Sequence, residues 1–248
     1  MAALEPSPVL EKTVRVLNAV FGFAGIPYWL SFGGLYAIVK NRGVIPDADF
    51  DVCCLHGADW ERLRRAFENR GYRMSKAIVS DLDGSALYCG YNHPQFAHVC
   101  VSFWYRSHGM RWFCHDQHKE LSGVGVPPSG YYFKGVPAGD VEDELFFRQV
   151  EWPGLDGSVK VRVPLFAGRM LDCLYPWWAY QHQKYNVHNN EVQEEKLASV
   201  YHGGAVSRHM VHLSSMADWG NEELVQSELE MGERKWRAEV KKWQKSFR

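Results

Sequence analysis

The stretch YWLSFGGLYAIVKNRGVIPDADFDVCCL, residues 28 to 55, decides the predicted fold of this chain. It reads as an apolar strand, a double-glycine turn, a short helix, a loop and a second strand with Asp47, Asp49 and Asp51. Side chains alternate between the two faces of a strand, so aspartates at every second position project from one face. Their mutual repulsion is tolerable when a cation lies between them, and the spacing therefore predicts a divalent metal site.

Oxygen ligands from carboxylates suit Mg²⁺, which keeps open positions for water and substrate phosphates, and Mn²⁺ is the alternative ion. Asp49 and Asp51 are the predicted metal ligands, and Asp47 is a third ligand or the general base. The competing interpretation is an acidic loop that leads into a strand. The adjoining glycine pair favours the metal site.

Four residues beside the aspartates are predicted to bind a phosphorylated substrate. Gly33 and Gly34 allow the backbone to approach a ligand closely. Lys40 and Arg42 carry positive charges that can neutralise a diphosphate, unless they only cap a solvated helix end.

The same 28 residues resemble the core motif of the LicD and fukutin-related family. The resemblance runs without a gap from Gly33 through Val39 to Gly43 and Pro46, and then reaches the aspartate strand. Gly34 stands where the family has threonine, Lys40 where it has arginine, and the tryptophan between Pro46 and the first aspartate is missing. A weaker resemblance covers VRVPLFAGRMLDCLYPWW, residues 161 to 178.

The resemblance implies an α+β nucleotidyltransferase (polymerase-β-like) fold, with a mixed sheet flanked by helices and a helical C-terminal part. It also implies transfer of choline-, ribitol- or glycerol-phosphate from a CDP-activated donor to a glycan acceptor. Two alternatives stay open: a nucleotidyltransferase that uses a nucleoside triphosphate, and a catalytically weak relative that only binds nucleotide or glycan.

A third metal-binding carboxylate is not evident. In the family it lies in a segment that corresponds to residues 97 to 105, where either Cys100 or Ser102 takes its position. The aromatic run after Ser102 favours Ser102. Asp81 and Asp83 are alternative acids, but their D-x-D-G context is more typical of a hairpin turn.

Other polar residues are assigned ordinary roles. His98 is expected to be a hydrogen-bonded core histidine. Cys114 with His108, His115 and His118 resembles a zinc cluster, but eleven histidines make chance clusters common.

Composition narrows the class of protein. With 248 residues, 46% of them hydrophobic, the chain can bury a substantial core, and its formal net charge of -1 offers no general attraction for nucleic acid. Six scattered cysteines without a C-x-x-C pair favour neither disulfides nor a zinc ribbon, so a cytoplasmic location is expected. Glycines and Pro27 interrupt the uncharged run from Ala19 to Val39, which is therefore not predicted to span a membrane.

Two parts are predicted along the chain, a catalytic core over residues 1–170 and a helical part over 171–248 that packs on it. In the core, helices are expected over residues 8–23, 34–41 and 58–69, and strands over 28–32, 74–79, 86–91 and 98–105. Residues 107 to 157 are expected to form loops and short strands. The segment from Glu233 to Arg248 predicts a basic amphipathic helix that packs on its own domain, with peripheral contact to anionic lipid as the alternative.

Overall fold

Internal contacts divide the chain into two units, Met1–Arg106 with Val141–Ala167, and Ser107–Asp140 with Gly168–Arg248. The computed structural model describes residues 8–39, 49–114, 130–137, 147–152, 159–165, 167–174 and 208–246. The sequence predicts a single boundary at residue 170. The second unit instead combines Ser107–Asp140 with Gly168–Arg248, and a strand from the first of these segments pairs with a strand from the second.

The helices and strands follow in chain order. They are α1 (Pro8–Ala24), β1 (Trp29–Leu30), α2 (Phe32–Val39), β2 (Asp49–Leu55), α3 (Trp60–Glu68), β3 (Arg73–Val79), β4 (Ala86–Asn92), β5 (His98–Ser107), β6 (Met110–Cys114), β7 (Tyr131–Pro137), β8 (Phe147–Glu151), β9 (Lys160–Pro164), α4 (Ala167–Leu174), β10 (His209–Leu213), a 3₁₀ helix (Met216–Gly220) and α5 (Glu222–Ser246).

The described strands of the first unit form a mixed sheet in the order β1-β2-β5-β4-β3. The pair β2–β5 is parallel, and the other neighbours are antiparallel. Strands β8 and β9 form a separate antiparallel hairpin. A mixed sheet with helices confirms the predicted α+β class.

One face of this sheet is the core of the first unit. Phe50 pairs with Val99, Val99 pairs with Tyr91, and all three side chains have no exposed surface. Phe67 of α3 stacks on Tyr91 with ring centroids 4.1 Å apart, and Phe21 of α1 meets the edge of the Phe67 ring. The helices thus cover this face, and Asp49 and Asp51 on either side of Phe50 point to the other face.

Helix α3 shows how the sequence sets its ends. The side chain of Asp59 accepts a hydrogen bond from the backbone N–H of Arg62 at 2.9 Å, which caps the first turn. After Asn69 the chain reverses at Gly71, which has a φ of +84°. Glycine adopts this conformation without the strain that a side chain would cause. The predicted span of residues 58–69 is therefore confirmed to within two residues.

The second unit contains the antiparallel sheet β6-β7-β10. Trp112, Phe133 and Trp219 pack together on one side of it, with ring centroids 5.1 and 5.2 Å from Trp219. The indole of Trp112 occupies the space where a side chain at Gly135 would lie. The predicted helical C-terminal part therefore also contains a strand.

Helix α5 begins eleven residues before the predicted basic segment and packs on β10, where Gly232 faces the backbone of Met210. Arg208 binds Glu233 at 3.0 Å and lies over the ring of Trp236, 5.6 Å from its centroid. These contacts confirm packing of the helix on its own unit. None of the described helices is both long and apolar enough to cross a membrane.

Candidate active site

Asp49 and Asp51 are the first and third residues of β2, on the face opposite the core. Asp49 is exposed and Asp51 is half-buried, while Phe50 between them is fully buried. The alternation predicted for the aspartates is therefore present at these two positions. The other predicted residues Asp47, Lys40 and Arg42 lie outside the described residues.

The glycine pair belongs to a helix and not to the predicted turn. Strand β1 ends at Leu30, and α2 begins two residues later and contains both Gly33 and Gly34. Phe32 makes the change of direction with φ at +40°, a conformation that is uncommon for a residue with a side chain. Such strain persists only where the surrounding structure holds it, and it is often found at functional sites.

Helix α2 rests directly on the backbone of the aspartate strand. The N–H of Ser31 donates a hydrogen bond to the carbonyl oxygen of Asp51 at 3.2 Å. A Cβ at Gly34 would lie 3.3 Å from the same oxygen and 3.5 Å from Leu30 Cδ2. A side chain at position 34 would have to displace this oxygen by a few tenths of an ångström, so glycine lets α2 pack closely on the backbone of Asp51.

The parallel register of β2 and β5 decides which residue faces the aspartates. Asp49 pairs with His98, Asp51 with Cys100, and Cys53 with Ser102. The preference for Ser102 is therefore wrong, because Ser102 lies one row farther into the unit. Paired residues of neighbouring strands share a face, so Cys100 occupies the position beside Asp51 where the resemblance implies an acid.

Cys100 lies in a polar environment although it is only 8% exposed. The hydroxyl of Tyr88 on β4 donates a hydrogen bond to its sulfur at 3.0 Å. Tyr88 is a residue of this face that the sequence does not point to. Alternation along β4 places residues 88, 90 and 92 on one face of the strand. Only the pairing of β4 with β5 shows that this face is the one with Cys100.

His98 is hydrogen-bonded, as predicted, but it is half-exposed and lies level with Asp49. Its Nδ1 is 2.5 Å from the amide oxygen of Asn92. An amide oxygen only accepts, so the neutral ring that makes this bond carries its proton on Nδ1. Gly90 leaves room for the imidazole, since a Cβ there would lie 3.4 Å from Nε2.

Asp83 belongs to the β3–β4 turn, which confirms the hairpin interpretation. Its carboxylate accepts hydrogen bonds from the backbone N–H and the hydroxyl of Ser85, at 3.0 and 2.6 Å. These bonds lower the pKa of Asp83 to about 2. A carboxylate already held by its own turn is a poor candidate for the third metal ligand.

The alternative zinc cluster is not assembled by the described part of the chain. Cys114 is buried in β6, and the ring of His108 lies near the indole of Trp219. His115 and His118 lie outside the described residues.

Two carboxylates on one strand fit the way in which proteins hold Mg²⁺, through one or two acidic ligands with substrate phosphates completing the shell. Among the described residues, no group of three or more histidine, cysteine, aspartate or glutamate side chains is placed to bind a metal ion. Asp49 and Asp51 are the predicted metal ligands that the described part of the chain contains.

Comparison with known proteins finds solved structures of similar fold but no family to which the chain can be assigned. No protein-family model and no curated protein matches the chain. Among solved structures, the antibiotic-resistance factor ANT(2'')-Ia in solution is 12% identical, with 96% of this chain and 98% of that chain covered and a TM-score of 0.38. The lincosamide antibiotic adenylyltransferase LnuA, bound to lincomycin, is 13% identical, with 79% and 99% covered and a TM-score of 0.38.

A third similar structure is ANT(2'')-Ia in complex with adenylyl-2''-tobramycin. It is 12% identical, with 92% of this chain and 98% of that chain covered and a TM-score of 0.38. Likeness at this level assigns neither a substrate nor a residue role to this chain. The candidate site therefore rests on the residues and the register described above.

Proposed function

We propose that this chain is a Mg²⁺-dependent nucleotidyltransferase, which moves a nucleoside monophosphate from a nucleoside triphosphate to a hydroxyl acceptor. The observation that carries the proposal is the placement of Asp49 and Asp51 on one face of β2 with Gly34 packed on the backbone of Asp51. The two carboxylates suit the metal ion of a polyphosphate, and the packing of Gly34 holds α2 close to the backbone of Asp51.

The chemistry follows from charge. The acceptor hydroxyl attacks the α-phosphorus, the bond from this phosphorus to the bridging oxygen breaks, and pyrophosphate leaves. Mg²⁺ bound by Asp49 and Asp51 would offset the negative charge on the phosphates. In this proposal Asp47 receives the hydroxyl proton or serves as a further metal ligand.

A second candidate is transfer of an alcohol phosphate from a CDP-activated donor to a glycan. The gap-free resemblance from Gly33 to Pro46 favours it. Three features weaken it: glycine in place of threonine at position 34, the missing tryptophan after Pro46, and Cys100 where an acid is implied. In this reaction the acceptor attacks the phosphorus that bears the alcohol, and cytidine monophosphate leaves.

The leaving group separates the two candidates. Parent protein is incubated with Mg²⁺ and either ATP, CTP, CDP-choline, CDP-ribitol or CDP-glycerol, and released pyrophosphate and cytidine monophosphate are measured. Thermal unfolding is followed in parallel with each nucleotide, with and without Mg²⁺, because a ligand that binds only the folded state raises its stability. We expect a triphosphate to raise the melting temperature only when Mg²⁺ is present.

Asp51→Asn is the control, since it removes a metal-binding charge with little change in side-chain volume. We expect it to lose the Mg²⁺-dependent thermal shift and retain the melting temperature of the free protein. Stabilisation by a CDP-alcohol with release of cytidine monophosphate would favour the second candidate. If no nucleotide binds in either condition, the proposed function is wrong.

A further inference from the structure

A cavity in the first unit lies between α1, the segment that leads into β1, and the β8–β9 hairpin. Its volume is ≈ 340 Å³, within the usual range of small-molecule pockets. The lining residues that bear on its chemistry are Asn18, Gly22, Tyr28, Gln149, Lys160 and Arg162. We refer to this cavity as the hairpin pocket.

The hairpin pocket is held open by hydrogen bonds between its walls. The hydroxyl of Tyr28 donates to Oδ1 of Asn18 at 2.7 Å, and Nδ2 of Asn18 donates to the carbonyl oxygen of Lys160 at 2.9 Å. Phe21 stacks beneath Tyr28 with ring centroids 4.4 Å apart. Three elements are thus joined before any ligand enters, which lowers the ordering cost of binding.

Two cations project from one side of the hairpin. Lys160 and Arg162 are exposed and two residues apart on β9, so their Cα atoms are separated by about 7 Å and their side chains share a face. Gln149, the cross-strand partner of Arg162, adds an amide to this side of the pocket. A ligand with several acceptor oxygens can contact all three groups.

These cations are not neutralised within the described part of the chain. Neither side chain has a carboxylate oxygen within 4.0 Å there, including that of Glu151, the cross-strand partner of Lys160. Tyr28 forms the floor of the pocket, and burial raises the pKa of its hydroxyl above the ordinary value. The positive charge of Arg162 opposes part of this increase. Among the described residues, the pocket therefore combines a preformed shape with positive charge that no carboxylate pairs.

We propose that the hairpin pocket binds the phosphate group of a small phosphomonoester, of the size of a sugar phosphate. A phosphomonoester carries close to two negative charges and three terminal oxygens, so it can pair with both Lys160 and Arg162. A single carboxylate has one charge for two cations. Arg162 provides the planar pair of donors that phosphate oxygens prefer.

Tyr28, at the floor of the hairpin pocket, is displaced along the sheet from the aspartates of β2. Trp29 pairs with Cys53, two residues beyond Asp51, and Tyr28 lies one residue farther in the same direction. At 3.3 Å per residue the offset along the strand is about 10 Å. The inference does not depend on the proposed nucleotidyl transfer.

Calorimetric titration without Mg²⁺ tests the site, with ribose 5-phosphate, inorganic phosphate and uncharged ribose as probes. We expect ribose 5-phosphate to bind, ribose not to bind, and Arg162→Gln to weaken binding by about tenfold or more. Comparable affinity for inorganic phosphate would identify the phosphate group as the recognised part. Failure of ribose 5-phosphate and phosphate to bind would overturn the proposal.

Two further variants separate loss of the site from loss of the fold. Gly22→Leu fills the pocket from α1, where a Cβ meets no atom within 4 Å, so we expect lost binding with an undiminished melting temperature. Arg73→Gln removes an exposed cation of β3 and should bind like the parent. Asp51→Asn should also retain binding, because its side chain lies outside the pocket. If Arg162→Gln binds ribose 5-phosphate as tightly as the parent, the proposed pocket is refuted.

Discussion

Restoring an acid beside Asp51 tests the register that defines the candidate site. The substitution is Cys100→Asp, at the position that pairs with Asp51 on the neighbouring strand. The hydroxyl of Tyr88, 3.0 Å from the sulfur, can donate to the new carboxylate. Ser102→Asp is the matched comparison, because its position pairs with fully buried Cys53 and is itself only 4% exposed.

The expected size of the effect follows from Coulomb's law. Side chains of paired residues on neighbouring strands lie about 5 Å apart, and two unit charges at this separation repel by about 3 kcal/mol at an effective dielectric constant near 20. Asp51 is half-buried, so solvent and salt reduce the repulsion to about 1–2 kcal/mol. For a chain of this size the loss lowers the melting temperature by about 2–8 °C.

Mg²⁺ should reverse the loss in Cys100→Asp. A ligand at a hundred times its dissociation constant stabilises the folded state by about 2.7 kcal/mol, which exceeds the repulsion. Ser102→Asp buries a carboxylate beside a thiol, so we expect a lower melting temperature that Mg²⁺ does not restore. Cys100→Asn keeps the shape without the charge and should show no added response to Mg²⁺.

The measurement is thermal unfolding of the four proteins over a Mg²⁺ series, with calorimetric titration of Mg²⁺ to confirm the affinity. A Mg²⁺-dependent recovery in Ser102→Asp but not in Cys100→Asp would refute the observed register as the basis of the site. No recovery in either variant would mean that the position beside Asp51 does not contribute to metal binding.

Three other perturbations have defined outcomes. Asp49→Asn and Asp51→Asn should each abolish turnover and leave thermal unfolding of the free protein unchanged or slightly improved, since both remove repelling charges; an active variant in a product-release assay would exclude that residue from the site. The pKa of Asp83 falls from 3.8 to about 2 on folding, so its hydrogen bonds stabilise the protein above about pH 4 and are lost as the pH falls toward 2. Urea unfolding should therefore show that Asp83→Asn differs from the parent at about pH 5 and converges with it near pH 2. Gly135→Ala places a Cβ 2.5 Å from an indole carbon, so we expect a loss of about 1–3 kcal/mol in urea unfolding, whereas Gly220→Ala, which meets nothing within 4 Å, should cost far less.

Local sequence was sufficient to predict most elements of the first unit. The spacing of apolar residues in α1 and α3, and the alternation in β3, β4 and β5, predict bounds within a few residues of those observed. In α3 the buried residues Leu63, Ala66 and Phe67 lie on one face, so local pattern and burial agree, whereas β4 and β5 are buried on both faces over most of their length. The aspartate strand was found in the same way, because alternation alone places Asp49 and Asp51 together.

The errors arise where a distant contact decides the conformation. Gly33 and Gly34 predict a turn from their own flexibility, but packing of Gly34 on the carbonyl oxygen of Asp51 places both in a helix. The preference for Ser102 rested on the aromatic residues that follow it. Whether Cys100 or Ser102 lies level with Asp51 is set by the register of β5 on β2. The two strands are dozens of residues apart in sequence, and the local sequence contains no signal for their register.

The position of the aspartates depends more on backbone packing than on the carboxylates themselves. Asp51 is bound through its carbonyl oxygen to Ser31 on one side, and its strand pairs with β5 on the other. Phe50 fixes the opposite face within a fully buried row of side chains. These contacts hold the strand through its backbone and through the side chain of Phe50. Backbone pairing of β2 with β5 sets the position of residue 100 whatever its side chain, so a cysteine where the resemblance implies an acid is compatible with the same fold.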